Sequence, residues 1–292
     1  MGSTVAAPSL ANDFNATYTS ANVPNNASPY DPKLFTDLKE ELDLAELPYL
    51  ASFSPALISV VLCAQGRGDT VGSWIHDLTE NEDKATAWAI LKAVREAITV
   101  TYPFIGLPNC VPACFGVIGV MRDLGFEPDG ERRRIADLGL SVSPQRRADI
   151  QHPLTLEQGL DTRRQIYRGV GNPEVHWMLK NYFPDMTYAT DTFVFGYLAT
   201  GSLDIFTLRQ TELIIAAAII SMGATRQSRS HIMASMQLGN SKKVVKAVLA
   251  AVSMIKTWNN QTPPTELDVD ALERQLQENL VEANRVEAAS LE

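Results

Sequence analysis

Glu212 and His231, both within residues 207–239 (TLRQTELIIAAAIISMGATRQSRSHIMASMQLG), are the best-placed acid/base pair of this 292-residue chain. A carboxylate entering an apolar helix is costly unless something pairs with it. An imidazole on the following helix is a natural partner, and the carboxylate would raise its basicity, which is how a general base is made. The plainer alternative has Glu212 bridging to Arg209 or Arg226 at a helix end and His231 as a hydrogen-bonded core histidine. Cys110 and Cys114, in NCVPACFG, could present two thiols on one helix face. Their C-x3-C spacing lacks the C-x2-C arrangement that lowers a thiol's pKa, and no nearby histidine completes a zinc set, so no metal site is expected. Arg132, Arg133 and Arg134 read as a solvated face before an anion site. The neighbouring His176 and Trp177 read as an interface pair before a cleft lining.

The elements that must hold the first pair are two helices joined at a glycine. Thr207 and Gln210 make the T-x-x-Q of a capping box, and Leu213 to Met222 is apolar on nearly every face, so this helix is buried all round and ends at Gly223. The next helix carries Ser228, His231 and Ser235 on one stripe and stops at Gly239. Upstream, LFTDLKEELDL and SPALISVVLCAQ read as helices. A longer helix opens at Thr79 through a second capping box with Glu82 and runs to about Tyr102, where Pro103 disturbs it. Another runs from Pro108 to Gly125. Thr155 to Gln158 cap a helix reaching Arg168, Asn172-Pro173 opens the next, and Asp185 to Thr200 forms a helix with an aromatic wall. NNQTPP breaks the pattern before an amphipathic, acidic tail helix. The organisation is a flexible arm over 1–31, a first helical half over 32–126, a linker over 127–153, a second half over 154–260 and an acidic C-terminal helix over 261–292.

Hydrophobic residues make up 45% of the chain, enough to bury a sizeable core. A net charge of −9 argues against nucleic-acid or anionic-membrane partners, and no apolar run approaches the roughly 20 residues that span a bilayer. No secretory signal is visible and three cysteines are too few for a disulfide framework, so a reduced, cytoplasmic protein is expected. The terminal Leu291-Glu292 reads as a cloning remnant.

The order of residues resembles the carboxymuconolactone decarboxylase and alkylhydroperoxidase D superfamily, whose redox members carry E-x11-C-x2-C-x3-H on two such helices. That register here reads Glu212, Ala224, Gln227 and His231, so the outer acid and histidine match and both cysteines are absent. HIMASMQLGNSKKVVKAVL, GLDTRRQIYRGVG and GSLDIFTLRQTEL are similar to segments of the decarboxylase branch, with Met233 where that branch has arginine and Leu198 where it has tryptophan. REAITVTYPFIGLPNCVPA resembles the end of the same domain. The resemblance implies an all-α bundle built from two degenerate related halves, assembled as a homo-oligomer. It also implies a cofactor-free lyase or isomerase acting on a small oxygenated acid, lactone or polyketide-like molecule. His231 and Glu212 would be catalytic, within hydrogen-bonding distance of each other or bridged by one water and facing a cavity rather than bulk solvent, with Arg209, Gln227, Tyr197 and Tyr102 as candidates for holding substrate. Two alternatives stand beside this: a non-catalytic oligomeric scaffold of the same fold, and a thiol-dependent peroxidase using Cys110 and Cys114.

Overall fold

The computed structural model describes residues 23, 25–45, 53–126, 150, 152–171, 173–202, 205–264 and 267–289. Most of the expected arm, the linker with Arg132 to Arg134, and the terminal Leu291-Glu292 lie outside the described residues. Within them the protein is all-α: twelve α-helices, one 3-10 turn and one π-helix, with no strand. The chain divides into two compact units, one formed by 1–128 with 250–263 and the other by 129–249 with 264–292. That division differs from the expected halves. Residues 250–263 join the first unit, and the C-terminal helix belongs to the second.

The first unit contains α1 (Pro32–Ala45), α2 (Ser54–Ala64), a 3-10 turn (Gly68–Thr70), α3 (Val71–Thr79), α4 (Lys84–Ile105) and α5 (Leu107–Asp123). Helix α2 is its centre, buried from Ser54 to Cys63, which is why its apolar run has no polar face. Two boundaries differ from the sequence reading. Thr79 ends α3, its hydroxyl donating to Ile75 C=O, and the cap of α4 is Asp83, whose carboxylate accepts from the Ala85 and Thr86 N–H groups. Asp83 takes the role because its carboxylate reaches two orphan donors at once. Pro103 lies inside α4, which continues to Ile105 and ends at Gly106 with φ 84°, a left-handed conformation that favours glycine. The end of the expected arm is held: Trp258 Nε1 donates to Pro29 C=O, Ser28 Oγ donates to Trp258 C=O, and Tyr30 stacks on Phe35. Arg67, buried, lies 4.3 Å over the Trp258 ring and pairs with Asp69 at 3.0 Å.

The second unit contains α6 (Pro153–Tyr167), α7 (Pro173–Tyr182), α8 (Pro184–Ala189), the π-helix Thr190–Ala199, α9 (Leu208–Ser221), α10 (Thr225–Gln237), the first part of α11 (Lys242–Trp258) and α12 (Val269–Ala289). The cap of α6 is His152, whose Nδ1 accepts from Leu154 N–H at 3.2 Å; Thr155, the expected cap, is one turn inside. Helix α6 and the π-helix approach backbone to backbone. A Cβ on Gly159 would stand 1.8 Å from Asp191 O, and one on Gly196 would stand 2.1 Å from Thr155 O. Both positions must therefore be glycine at this spacing. The expected helix with an aromatic wall over 185–200 is present, but most of it is π-helix, a form concentrated at functional sites.

Candidate functional site

Glu212 stands in the second turn of α9, whose capping box is formed as expected: Thr207 Oγ1 accepts from Gln210 N–H and Gln210 Oε1 accepts from Thr207 N–H. That box fixes the helix entry, and every residue from Thr211 to Ser221 is buried. Gly223, at φ 74°, turns the chain into α10, where Ser228, His231 and Ser235, expected on one stripe, are all buried. The two helices return against each other and bring His231 Nδ1 to 2.7 Å from Glu212 Oε1. The pair is thus direct and shut off from solvent: Glu212 is 0% and His231 5% exposed. The alternative bridges are not made. Arg226 is exposed, and Arg209 Nη1 donates to Gly239 C=O at 3.1 Å.

Burial raises the Glu212 carboxyl above its usual range, and the neighbouring imidazole pulls it partly back. Its second oxygen, Oε2, is buried with no hydrogen-bond partner. A buried acceptor left unbonded costs on the order of 1–3 kcal/mol, more when charged, so this carboxylate is held at high energy and favours taking a proton.

The other ring nitrogen is also engaged. Tyr167 Oη lies 3.1 Å from His231 Nε2, and the two rings meet edge to face at 5.6 Å. With Glu212 ionised, Nδ1–H donates to Oε1 and Nε2 accepts from the Tyr167 hydroxyl. Tyr167 lies inside GLDTRRQIYRGVG, a segment quoted for its resemblance, but that resemblance gave the tyrosine no role. Its signal was only its place at the end of α6 beside Gly169, and the 64-residue separation from His231 hid the contact.

The expected substrate contacts fall on different elements. Gln227 is exposed on α10, and Arg209 is partly buried at the start of α9, where it ties down the loop after α10. Tyr197 stacks on Phe193 within the π-helix at 5.7 Å. Tyr102 belongs to α4 of the first unit. His176 is partly buried and Trp177 is 59% exposed. Behind Tyr167, Arg163 Nε stands 3.0 Å from the buried Asp191 Oδ1; the two groups form an ion pair without the alignment of a hydrogen bond.

Cys63, Cys110 and Cys114 are unpaired thiols of the first unit. Burial pushes all three up, Cys110 to about 12. The thiolate is the reactive form, so at neutral pH these sulfurs are poor nucleophiles. Among the described residues no group of three or more His, Cys, Asp or Glu side chains could hold a metal ion, and no helix is long and apolar enough to cross a membrane. No protein-family model and no curated protein matches this chain.

Proposed function

We propose that the protein is a cofactor-free lyase or isomerase acting on a small oxygenated acid, lactone or polyketide-like molecule, with His231 as the seat of the transferred proton and Glu212 stabilising the imidazolium. The observation that carries this reading is the buried 2.7 Å contact between Glu212 Oε1 and His231 Nδ1. A carboxylate so placed orients the ring and pairs with the charge the ring gains on taking a proton, the arrangement general acid/base catalysis needs. Loss of carbon dioxide or of a proton beside a carbonyl leaves an enolate, which a positioned donor stabilises without a metal. The resemblance of GLDTRRQIYRGVG, GSLDIFTLRQTEL and HIMASMQLGNSKKVVKAVL to the carboxymuconolactone decarboxylase branch supports the same chemistry, and with it a homo-oligomeric, cytoplasmic protein.

The test is turnover of a panel of 3-oxo acids and carboxylated lactones, read as carbon dioxide release or as deuterium uptake from heavy water. His231→Gln should lower turnover by about 10²- to 10⁴-fold while the protein stays folded. Equal turnover in a well-folded His231→Gln protein, or none by the native protein, overturns the proposal.

The scaffold reading has one observation of its own. Met233 and Leu198, in the places where the resemblance would put arginine and tryptophan, are buried at 3% and 2% exposure. A purely structural pair would answer the same substitution with a loss of about 3–5 kcal/mol in stability and no turnover to lose.

A further inference from the structure

We propose that Tyr167 is the group through which the Glu212–His231 pair meets its substrate: its hydroxyl exchanges protons with His231 Nε2 on one side and with a carbon beside a substrate carbonyl on the other. This rests on the acid/base reading above and changes which atom does the touching.

Both imidazole nitrogens are bonded to protein, Nδ1 to Glu212 at 2.7 Å and Nε2 to Tyr167 at 3.1 Å. Neither nitrogen is left open by these two contacts. Exposure rises along the chain of contacts, from Glu212 at 0% through His231 at 5% to Tyr167, which is partly exposed. Tyr167 is therefore the outermost residue of a three-residue chain of contacts whose inner end is sealed in the core.

The phenol is held as a functional group must be. Gln237, at the end of α10, brackets it: its carboxamide donates to Gln165 C=O and accepts from Gly169 N–H, so residues on both sides of Tyr167 are fixed to the helix that carries His231. Asn279 of α12 donates to Gly169 C=O at 3.0 Å. The ring meets Phe195 of the π-helix edge to face at 6.0 Å. Gly159, Arg163 and Tyr167 recur every fourth residue and so share one stripe of α6, the stripe that the glycine contact lays against the π-helix. Arg163, paired with Asp191, supplies a positive group one turn from the hydroxyl.

The chemistry closes without an added reagent. A substrate C–H bond breaks and its electron pair moves toward the carbonyl, forming an enolate. The proton goes to Tyr167 Oη while the proton that Tyr167 held passes to Nε2, leaving an imidazolium beside the Glu212 carboxylate. Reversal at a second carbon gives the isomer and restores every group. Burial, aided by the Glu212 charge and opposed by Arg163, keeps the phenol protonated well above its ordinary range. Tyr167 therefore cannot act as a free phenolate and depends on His231 to take its proton.

Benzenesulfonyl fluoride tests this on the full-length protein without knowledge of the substrate. Its S–F bond breaks as an S–O bond forms to a tyrosine oxygen, and the phenolic proton must leave to a base. Peptide mass spectrometry of the native protein should find Tyr167 modified, and His231→Gln should slow that modification about tenfold or more. Labelling of Tyr182 and Tyr188, 71% and 62% exposed, should stay unchanged. Glu212→Gln, which keeps the histidine and a hydrogen-bond acceptor, should slow Tyr167 by a smaller factor and decides the matter if His231→Gln does not fold. Native Tyr167 left unmodified while Tyr182 and Tyr188 react, or modified as fast in the folded variants as in the native protein, overturns the proposal. Labelling requires no turnover, so the two proposals fail separately. Histidine-dependent labelling in a protein that turns nothing over leaves the relay and removes the reaction. Turnover with histidine-independent labelling leaves the reaction and removes Tyr167.

Discussion

Glu212 is the residue whose energetics most clearly exceed what folding needs. It is fully buried, one oxygen is bonded to His231 and the other to nothing, and burial raises its carboxyl. Folding thus makes this carboxyl a weaker acid than it is in the unfolded chain. Its contribution to stability is fully present below the ordinary value of 4.5 and is lost as pH rises through the raised folded value. Glutamine at this position does not titrate. The melting temperature of Glu212→Gln relative to the native protein should therefore be lowest in acid and climb as pH rises above the ordinary carboxylate range. Parallel melting curves across that range, with a constant difference between the two proteins, would show that the carboxyl is not strained. The possibility of this contact was legible in the sequence, because an acid inside an apolar run needs a partner and only one histidine lies on the next helix. Tyr167 was not legible, because a tyrosine at a helix end fits packing as well as proton transfer and nothing local distinguishes them.

At the scale of elements, the glycines decide where the side chains go. Helix α6 and the π-helix lie so close that Gly159 and Gly196 each face backbone, and the stripe that follows Gly159 ends at Tyr167. Gly159→Ala should push the two elements apart, cost about 1–3 kcal/mol through overpacking, and weaken His231-dependent labelling of Tyr167 more than it weakens the fold as a whole. Equal melting temperatures for native protein and Gly159→Ala would contradict the close approach. The capping box at Thr207 and the glycine stops at Gly223 and Gly239 were readable because each is a local matter of one turn of backbone. The start of α4 was misread because Thr79 satisfies the same local pattern as a cap. Asp83, four residues on, wins by bonding two backbone donors. The π-helix escaped because its extra residue per turn is imposed by packing against α6 and has no compositional mark of its own.

Across the whole molecule, chain order and compact units do not coincide. Residues 250–263 complete the first unit although the chain between is part of the second. Trp258 shows why. Its ring sits edge-on to Phe35 at 5.2 Å and beneath the Arg67 guanidinium at 4.3 Å, and its N–H holds Pro29 C=O at 3.0 Å. Trp258→Ala should cost up to about 3 kcal/mol, because a partly buried tryptophan loses less than a sealed one. Hydrogen exchange should place the loss in α1, α3 and the residues around Pro29, far from it in sequence. Exchange that quickens only around residue 258 would show that the tryptophan holds nothing but its own helix.

The sequence by itself determined the all-helical class and the buried course of α9, and it offered the meeting of Glu212 with His231 as one of two readings. These follow from apolar periodicity, caps and the cost of burying a lone charge, all of which act within one or two helices. The tertiary structure alone decided that residues 250–263 join the first unit, that a π-helix stands against α6, and that Tyr167 covers the second nitrogen of His231. Each of these depends on contacts between residues far apart in the chain, and their geometry comes from the packing of whole helices, which no local pattern of side chains encodes.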